Sequence, residues 1–289
     1  MKTRMITGNM KLKEIRKNTA KLLSENGIEA SAFETDVILQ TVLGFDKTTL
    51  IMKLETELST DTVEEISIIA QKRVDGYPLQ YIVGSWGFYG RDFAVGEGVL
   101  IPRADTETVI DVAKTLFDKN SKIKVIDLCS GSGCIAITLE KELNAKVYAL
   151  EKSETAYEYL VKNIELNKST VTPMLCDVLD EEPIKDFAEV DLIVSNPPYI
   201  KTSEISALSK EVSYEPVMAL DGEEDGLKFY RKITRAWKKT LKNDGYLIFE
   251  IGNTQADEVQ KILEDNAFCE VTIVYDLAKN PRVVYARKQ

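Results

Sequence analysis

The sequence has 289 residues, of which 44% are hydrophobic, which is enough for one large domain or two modest ones. It contains no histidine, and this excludes Ser-His-Asp catalysis, histidine general bases and histidine-ligated metals. The formal net charge of −10 argues against a large phosphate-binding surface, so we expect no stable nucleic-acid partner.

Targeting and redox signals are missing from the sequence. No apolar run approaches the roughly 18 residues of a membrane span, and the basic N-terminus lacks the apolar segment of a signal peptide. The four cysteines have no CxxC spacing, which favours free thiols over a metal site. We therefore expect a cytoplasmic protein with no membrane partner and no metal.

Residues 1–83 are predicted to form a small helical bundle. Apolar residues recur at helical spacing in three stretches, and Asn26-Gly27 and Leu43-Gly44 are natural stops between them. The predicted buried faces comprise Leu12, Ile15, Thr19, Leu22 and Leu23; Phe33, Val37, Ile38, Thr41 and Val42; and Val63, Ile66, Ile69, Ala70 and Val74. This region contains no catalytic constellation, so we expect it to dock the substrate.

Residues 84–104 differ in character from the helical region. Aromatic residues and glycines alternate in SWGFYGRDFAVGEGVLI (85–101), which predicts a β-hairpin. The segment is interpreted as a linker between two domains. A packed structural hairpin and a substrate-contacting hairpin are equally compatible with this pattern.

Residues 105–289 are predicted to form an α/β catalytic domain. Strand and helix patterns alternate from residue 122, which indicates a mostly parallel sheet with helices on both faces. Seven strands are predicted, at 124–128, 146–150, 172–176, 191–195, 245–252 and in a final pair around Asn280-Pro281. Helices are predicted at CIAITLEKEL and at 153–167, 227–241 and 255–266. The final pair implies one antiparallel strand.

A glycine-containing turn follows the first strand of this domain. In DLCSGSG (127–133), Gly131 and Gly133 accept positive φ and allow close approach to a ligand. The pattern is not GxGxxG, because Ala136 replaces the third glycine, and no Gly-Lys-Ser/Thr follows. A nicotinamide dinucleotide and a nucleoside triphosphate are therefore disfavoured.

Acidic residues close the first three strands. Glu151 lies 20 positions after Gly131, a spacing at which a carboxylate accepts hydrogen bonds from ribose hydroxyls. Asp177 is placed to accept from an adenine amine while Val178 packs on the ring. Asp127 is placed to hold a cationic amino group. Together these features describe an adenosine pocket without a phosphate grip, and S-adenosyl-L-methionine fits it.

The fourth strand ends in VSNPPYI (194–200), beside the predicted pocket. The side-chain oxygen of Asn196 and the carbonyl of Pro197 can both accept hydrogen bonds from one NH₂ group. Pro197 and Pro198 fix the backbone, and Tyr199 can stack on a planar target. Two fixed acceptors favour a pyramidal nitrogen and direct its lone pair at the methyl donor. The motif therefore predicts methyl transfer to a planar amino nitrogen without a strong base.

From about residue 12 to its end, the sequence resembles the HemK/PrmC family of protein-glutamine methyltransferases. The resemblance is carried by YPLQYIVG (77–84), VLIPRADTE (99–107), DLCSGSGCIAITL, VSNPPYI, YEPVMALDGEEDGLKFYRKI (214–233) and GYLIFEIG. It implies a class I S-adenosylmethionine-dependent methyltransferase fold, Rossmann-like and seven-stranded. It also implies methylation of the glutamine in the GGQ motif of peptide chain release factors, with S-adenosyl-L-homocysteine as product. We expect a monomer.

The resemblance also assigns site residues. It places the cofactor against Cys129, Ser130, Gly131, Ser132, Gly133, Glu151, Asp177, Val178 and Asn196. It implies that the glutamine is held by Asn196, Pro197, Pro198 and Tyr199, with Arg103, Thr106 and Glu107 in a motif near the active site. Three positions depart from the family pattern: Ala104 replaces a proline, Glu151 replaces an aspartate, and Gly222-Glu223 replaces a glycine pair.

Three alternatives share the same motifs. A ribosomal-protein glutamine methyltransferase has the same motif core. A DNA or RNA amino-methyltransferase would use the motif on adenine, but it must grip a phosphate backbone and flip its base. A non-catalytic S-adenosylmethionine-binding adaptor would not need the intact Asn196–Tyr199 motif.

Overall fold

The structure is a computed structural model and describes residues 10–119 and 122–289. It divides into two compact units. The first comprises the chain up to Gly84 together with Ser209–Tyr214, and the second comprises Ser85–Leu208 and Glu215–Gln289. A short piece of the chain that follows the Asn196 motif is therefore part of the first unit.

The first unit is helical, as the sequence predicts. Its elements are β1 (Met10–Lys11), α1 (Leu12–Glu25), α2 (Ser31–Leu43), α3 (Lys47–Met52), β2 (Glu57–Leu58), α4 (Thr60–Val74) and α5 (Leu79–Val83), with β1 and β2 antiparallel. The buried face of α2 consists of Thr35, Ile38 and Leu39. The expectation that Phe33 and Thr41 are buried is wrong, because Phe33 is 60% exposed and Thr41 is exposed as well.

A buried arginine ties Ser209–Tyr214 into this unit. Arg73 on α4 is 6% exposed. Its guanidinium lies 2.5 Å from a carboxylate oxygen of Glu34 and 2.5 Å from one of Glu211. The rings of Tyr77 and Tyr214 make an edge contact with centroids 5.3 Å apart. No sequence pattern predicted these contacts, because they join residues far apart in the chain.

The second unit begins with the predicted β-hairpin. Strands β3 (Ser85–Phe88) and β4 (Arg91–Ala94) pair antiparallel around a two-residue turn. Tyr89 and Gly90 have φ of 49° and 73°. Positive φ at both positions is the geometry of the turn that matches the twist of a hairpin.

A seven-stranded sheet forms the centre of the second unit, as predicted. Its strands are β5 (Lys124–Leu128), β6 (Lys146–Glu151), β7 (Thr172–Leu175), β8 (Val190–Ser195), β9 (Leu241–Glu250), β10 (Phe268–Tyr275) and β11 (Pro281–Lys288), in the order β10-β11-β9-β8-β5-β6-β7. Strand β11 runs antiparallel to β10 and β9, and the other pairings in this sheet are parallel. The helices are α6 (Glu107–Leu116), α7 (Cys134–Leu143), α8 (Glu154–Leu166), α9 (Thr202–Ile205), α10 (Lys228–Trp237) and α11 (Ala256–Asp265).

The sheet is buried on both faces. Val125 on β5 belongs to one apolar cluster with Ile137, and its neighbour Ile126 belongs to a second cluster with Trp237 and Phe249. Successive strand residues point to opposite faces, so a strand covered on both sides is apolar throughout. This explains the continuous apolar runs in the sequence.

The boundary between α10 and β9 differs from the prediction. The helix predicted at 227–241 ends at Trp237, and a 3₁₀ turn over 238–240 follows it. Strand β9 then begins at Leu241 instead of Gly245. Asp244 has φ of 64°, and the register with β8 shifts near this point. The irregularity interrupts the alternation by which a strand is recognised in sequence.

The described residues contain neither a membrane-spanning helix nor a cluster of metal ligands. No helix within 10–119 or 122–289 combines the length and apolarity needed to cross a bilayer. The same residues contain no group of three or more acidic or cysteine side chains that could hold a metal ion. All four cysteines are free thiols.

The Gly222-Glu223 pair lies against the Asn196 motif. A Cβ added to Gly222 would lie 2.7 Å from the Cα of Tyr199 and 2.9 Å from the carbonyl oxygen of Pro198. Gly222 is therefore required for close approach of two backbones. Glu223 has φ of 70°. This left-handed conformation is unfavourable for a residue with a Cβ.

We expect Glu223→Gly to be more stable than Glu223→Ala by about 1 kcal/mol. Both variants lose the ion pair between Glu223 and Lys228, so their difference isolates the backbone conformation. Denaturant unfolding of the two variants measures it. An alanine variant as stable as the glycine variant would contradict the strain assigned to this turn.

Candidate active site

A cleft opens at the carboxyl edge of the parallel strands in the second unit. Ligand sites of parallel α/β sheets are found at this edge because the strands end there together. The residues lining it are Gly98, Leu100, Ile101, Pro102, Arg103, Thr106, Cys129, Ser130, Gly131, Ser132, Cys134, Ile135, Glu151, Lys152, Ser153, Ala156, Asp177, Val178, Asn196, Pro198, Pro216, Met218, Ala219 and Phe229.

The glycine-containing turn leads from β5 into α7. Its backbone has positive φ at Cys129 (63°), Gly131 (53°) and Gly133 (80°). A Cβ at Gly133 would lie 2.4 Å from Cδ1 of Leu160, so this glycine allows α7 and α8 to pack. A Cβ at Gly131 would meet nothing within 4 Å. The space at Gly131 is therefore left open for a ligand.

Glu151 organises this turn from the end of β6. One carboxylate oxygen accepts the Gly131 N–H at 2.8 Å, and the other accepts the Lys152 and Ser153 N–H groups at 2.9 and 2.7 Å. The residue is 8% exposed and lines the cleft. Because a carboxylate has about four acceptor sites, Glu151 retains capacity for a ribose hydroxyl. Its longer side chain, compared with aspartate, reaches both the turn and the cleft.

Asp127 is a buried carboxyl group at the end of β5. It is fully buried, and neither side-chain oxygen has a hydrogen-bond partner among the described residues. Burial raises the pKa of Asp127 to about 8, although Ser130 and Ala136 lie close enough to oppose the shift. A buried, unpaired acid next to a cleft is suited to a cationic partner, because a positive charge would restore its ionised form.

Asp177 and Val178 line the cleft beyond the end of β7. Burial acts to raise the pKa of Asp177. The hydrogen bonds from Lys152, 2.7 Å away, and from the Leu179 N–H, with the charges of Lys152 and Lys228, together outweigh burial and lower the pKa overall. The carbonyl oxygen of Val178 accepts the Trp237 indole N–H at 2.9 Å, which fixes its position. This pair offers an ionised acceptor beside an apolar surface.

The Asn196 motif lies at the end of β8. The Ser195 hydroxyl donates to the carbonyl oxygen of Leu128 at 2.7 Å and joins the ends of β8 and β5. The Asn196 side-chain nitrogen lies 3.5 Å from the Thr106 hydroxyl. Pro197 and Pro198 are both buried. The amide of Asn196 is thus held at the cleft wall by a rigid backbone.

Tyr199 lies on the other side of the motif and lines a second cleft with Gly252 and Gln255. Its carbonyl oxygen accepts from the Gln255 amide at 3.0 Å. Burial, followed by the nearby charge of Glu250, raises the pKa of Tyr199 to about 12, so the phenol stays neutral. The structure therefore does not place Tyr199 among the residues that line the first cleft.

An ion pair that the sequence reasoning missed supports the opposite wall. The Arg103 guanidinium pairs with Glu215, whose other oxygen accepts the Ile101 N–H at 3.1 Å. Glu215 is 4% exposed and immediately precedes Pro216, which lines the cleft. The only sequence signal for Glu215 was its position within the YEPVMAL stretch. Glu107 accepts the Tyr89 N–H at 2.7 Å and lies outside the cleft lining.

Most of the predicted site residues thus meet in one cleft. The lining includes Arg103, Cys129, Ser130, Gly131, Ser132, Glu151, Asp177, Val178, Asn196 and Pro198. Asp127, Gly133 and Pro197 are not among the lining residues but lie within two residues of them in the chain. The open space at Gly131, the unpaired carboxyl of Asp127 and the acceptors at Glu151 and Asp177 fit an adenosine that carries a cationic amino acid tail.

Two protein-family profiles match the chain. Residues 14–84 match the PrmC N-terminal domain, and residues 106–214 match the methyltransferase small domain. The release factor glutamine methyltransferase of Fusobacterium nucleatum is 39% identical over 280 residues, covering 95% of this chain and 78% of that protein. That of Thermodesulfovibrio yellowstonii is 38% identical over 260 residues, covering 88% and 92%.

Solved structures share the fold. A methyltransferase from Pyrococcus furiosus aligns with a TM-score of 0.51 and 16% identity, covering 78% of this chain and 98% of that one. The hMettl16 catalytic domain in complex with MAT2A 3′UTR hairpin 6 aligns with a TM-score of 0.54 and 17% identity, covering 68% and 75%. At this identity the likeness establishes a methyltransferase fold and no more.

We expect Glu151→Ala to weaken the binding of S-adenosylmethionine by about 1.5 to 3 kcal/mol, because a charged acceptor is lost. Glu151→Gln keeps the shape and one acceptor oxygen, so its loss should be smaller. Titration calorimetry measures both affinities. Wild-type affinity in the alanine variant would mean that Glu151 only supports the turn.

Proposed function

The chain belongs to the release factor glutamine methyltransferase family, and on that premise we propose that it methylates the side-chain amide nitrogen of the GGQ glutamine in peptide chain release factors. The methyl donor is S-adenosylmethionine. The observation that carries the proposal is the rigid Asn196 motif beside a cleft suited to an adenosine. Relatives at 38–39% identity match across both the helical and the catalytic regions.

Asp127, Glu151, Asp177 and Val178 would hold the cofactor, with Cys129–Gly133 forming its floor. Bound there, S-adenosylmethionine supplies a methyl group on a sulfonium, and S-adenosylhomocysteine remains after transfer. Burial, and then the charges of Glu151 and Asp127, raise the pKa of the Cys129 thiol, so it stays neutral. A neutral thiol is a weak nucleophile and does not compete for the methyl group.

Asn196 and Pro197 act on the substrate nitrogen. The Asn196 side-chain oxygen and the Pro197 carbonyl accept hydrogen bonds from the two N–H groups of the glutamine amide. Fixed acceptors favour a pyramidal nitrogen. In that geometry the lone pair is no longer delocalised by amide resonance and is localised on the nitrogen, which makes the nitrogen nucleophilic. The nitrogen–methyl bond would form as the methyl–sulfur bond breaks, and the proton that the nitrogen then releases would pass to solvent water, so no strong base is needed beforehand. This suits a chain that lacks histidine.

We also propose that the enzyme is a cytoplasmic monomer that holds no nucleic acid stably, because its net charge of −10 opposes a phosphate backbone. In this proposal residues 1–83 dock the release factor, residues 84–104 link the domains, and residues 105–289 perform the chemistry. The helical unit supports a docking role because it exposes large apolar side chains at Phe33, Ile51, Met52 and Ile68.

Methyl transfer from labelled S-adenosylmethionine tests the proposed function. The substrates are an intact release factor, the same factor with GGQ changed to GGA, a ribosomal protein and duplex DNA. We expect label only in the first. Equal labelling of the GGA variant would place the methyl group elsewhere, and labelling of the ribosomal protein or DNA alone would replace the proposed substrate.

The Asn196→Ala variant is expected to lower kcat by about 10² to 10³, the usual effect of removing one preorganised polar partner. Cofactor affinity should fall much less, because the adenosine contacts come from other strand ends. Single-turnover methylation of a release factor at saturating cofactor measures the rate. A variant within about threefold of wild type would remove Asn196 from the mechanism.

The docking role of the helical unit predicts a substrate-dependent effect. Ile51 and Met52 on α3 are 54% and 81% exposed. Changing both to glutamate should lower kcat/KM for the intact release factor by about tenfold, because apolar contact with the partner is lost. A short GGQ peptide should be methylated at the wild-type rate.

Leu166→Glu is the matched control, since Leu166 is 54% exposed on α8 in the other unit. It should leave both substrates unaffected. Equal losses on protein and peptide in the α3 variant would indicate a structural role for that helix.

A further inference from the structure

Glu250 is a buried acid next to the Asn196 motif to which the mechanism above gives no role. It is the last residue of β9 and is 2% exposed. Ser195 on β8 is opposite Phe249 on β9, so Asn196 and Glu250 occupy the next position on the two neighbouring parallel strands. Both therefore emerge at the same edge of the sheet.

The Glu250 carboxylate lies next to Asn196 and Thr106. It is not among the residues that line the cleft, whereas Asn196 and Thr106 are. Its Oε2 atom is buried and has no hydrogen-bond partner among the described residues. The main chain of Glu250 is fixed, because its carbonyl oxygen accepts the Tyr230 hydroxyl at 3.0 Å. A buried acceptor without a donor is energetically unfavourable, so its presence in a native structure needs an explanation.

The explanation that we draw comes from the Asn196 amide, whose oxygen accepts hydrogen bonds and whose NH₂ group donates them. A side-chain amide has an oxygen and an NH₂ group of nearly the same size, and its hydrogen-bond partners decide which way it points. An ionised carboxylate only accepts hydrogen bonds, so it draws the NH₂ group toward itself. The opposite end, the oxygen, then faces the cleft.

We infer that Glu250 is a positioning residue that orients the Asn196 amide, with its NH₂ toward the buried carboxylate and its oxygen toward the substrate nitrogen. The inference rests on the proposed function, since it concerns the acceptor for the glutamine NH₂. With the amide turned the other way, two NH₂ groups would face each other and the substrate would be repelled.

The ionisation of Glu250 should then be visible in the reaction rate. Burial raises the pKa of Glu250 to about 7, against hydrogen bonding from Thr106, the charge of Arg282 and hydrogen bonding from Asn196, while the charge of Asp105 adds to the increase. The titratable and charged groups that act on it are Asp105, Cys134, Tyr199, Tyr230 and Arg282. Burial raises the pKa of the thiol and of both tyrosines, so these groups stay neutral near pH 7.

The orienting form is the carboxylate, which predominates above pH 7. Single-turnover methylation at saturating cofactor should therefore rise with pH, by about tenfold per unit below the pKa, and level off above it. Glu250→Gln carries an amide that can donate as well as accept and no longer selects one orientation. We expect its rate at pH 8 to fall about 10- to 100-fold, as for other partners that orient a reacting group from behind, and to lose the pH dependence.

Stability separates this role from structural damage. A buried carboxyl group whose pKa is raised loses folding stability as pH increases from its ordinary pKa to about 7. Glu250→Gln removes that penalty, so its unfolding temperature at pH 8 should equal or exceed that of wild type while its rate falls. Glu165→Gln, an exposed substitution on α8, is the matched control and should change neither quantity.

Two results would overturn the inference. One is a Glu250→Gln enzyme with the wild-type rate. The other is a methylation rate that still rises with pH in that variant, because the pH dependence would then come from another group such as Asp127. Wild-type methylation of the release factor is measured in the same series. Its failure would count against the proposed function and not against Glu250.

Discussion

Parallel strands bring their carboxyl ends to one edge, and the active site depends on this constraint. Five neighbouring strands, β7, β6, β5, β8 and β9, end there together. Four of them have, within two residues of their ends, a polar residue that the proposed reaction uses: Asp127, Glu151, Asp177 and Asn196. The adenosine pocket and the two acceptors for the substrate are thus adjacent because of the sheet, although their residues are spread over some 70 positions of the chain.

The same constraint affects the ionisation of the acids at this edge. Acids buried at a sheet edge are disfavoured as anions unless donors or cations face them. Glu151 is satisfied by three backbone N–H groups, whereas Asp127 and one oxygen of Glu250 have no partner among the described residues. The unsatisfied groups are those that face the cofactor tail and the Asn196 amide in the proposed mechanism. The polar groups that the fold leaves unpaired are thus available to bind the cofactor and to orient Asn196.

Much of this was predictable from the sequence. Apolar runs and turn residues predicted seven of the described helices, the hairpin, all seven strands of the large sheet and its single antiparallel strand, because these patterns are local. Helices α3, α5, α6 and α9 were not predicted. Phe33 was misplaced because an α2 face chosen from apolar spacing alone ignores which side meets its neighbours. Glu215 and Glu250 were missed for a different reason. Each acts through a contact with a residue distant in the chain, and an isolated glutamate carries no spacing signal that reports such a contact. Shared fold is not a guide to substrate either, since similar sheets occur in the hMettl16 domain determined with a 3′UTR hairpin.

The central claim is that the glutamine nitrogen is held by two acceptors at the end of β8. A structure of the enzyme with S-adenosylhomocysteine and a GGQ peptide tests it most directly. We predict the glutamine side-chain nitrogen within about 3 Å of both the Asn196 side-chain oxygen and the Pro197 carbonyl oxygen, with the Asn196 NH₂ facing Glu250. A glutamine bound elsewhere, or with its carbonyl oxygen facing Asn196, would contradict the account.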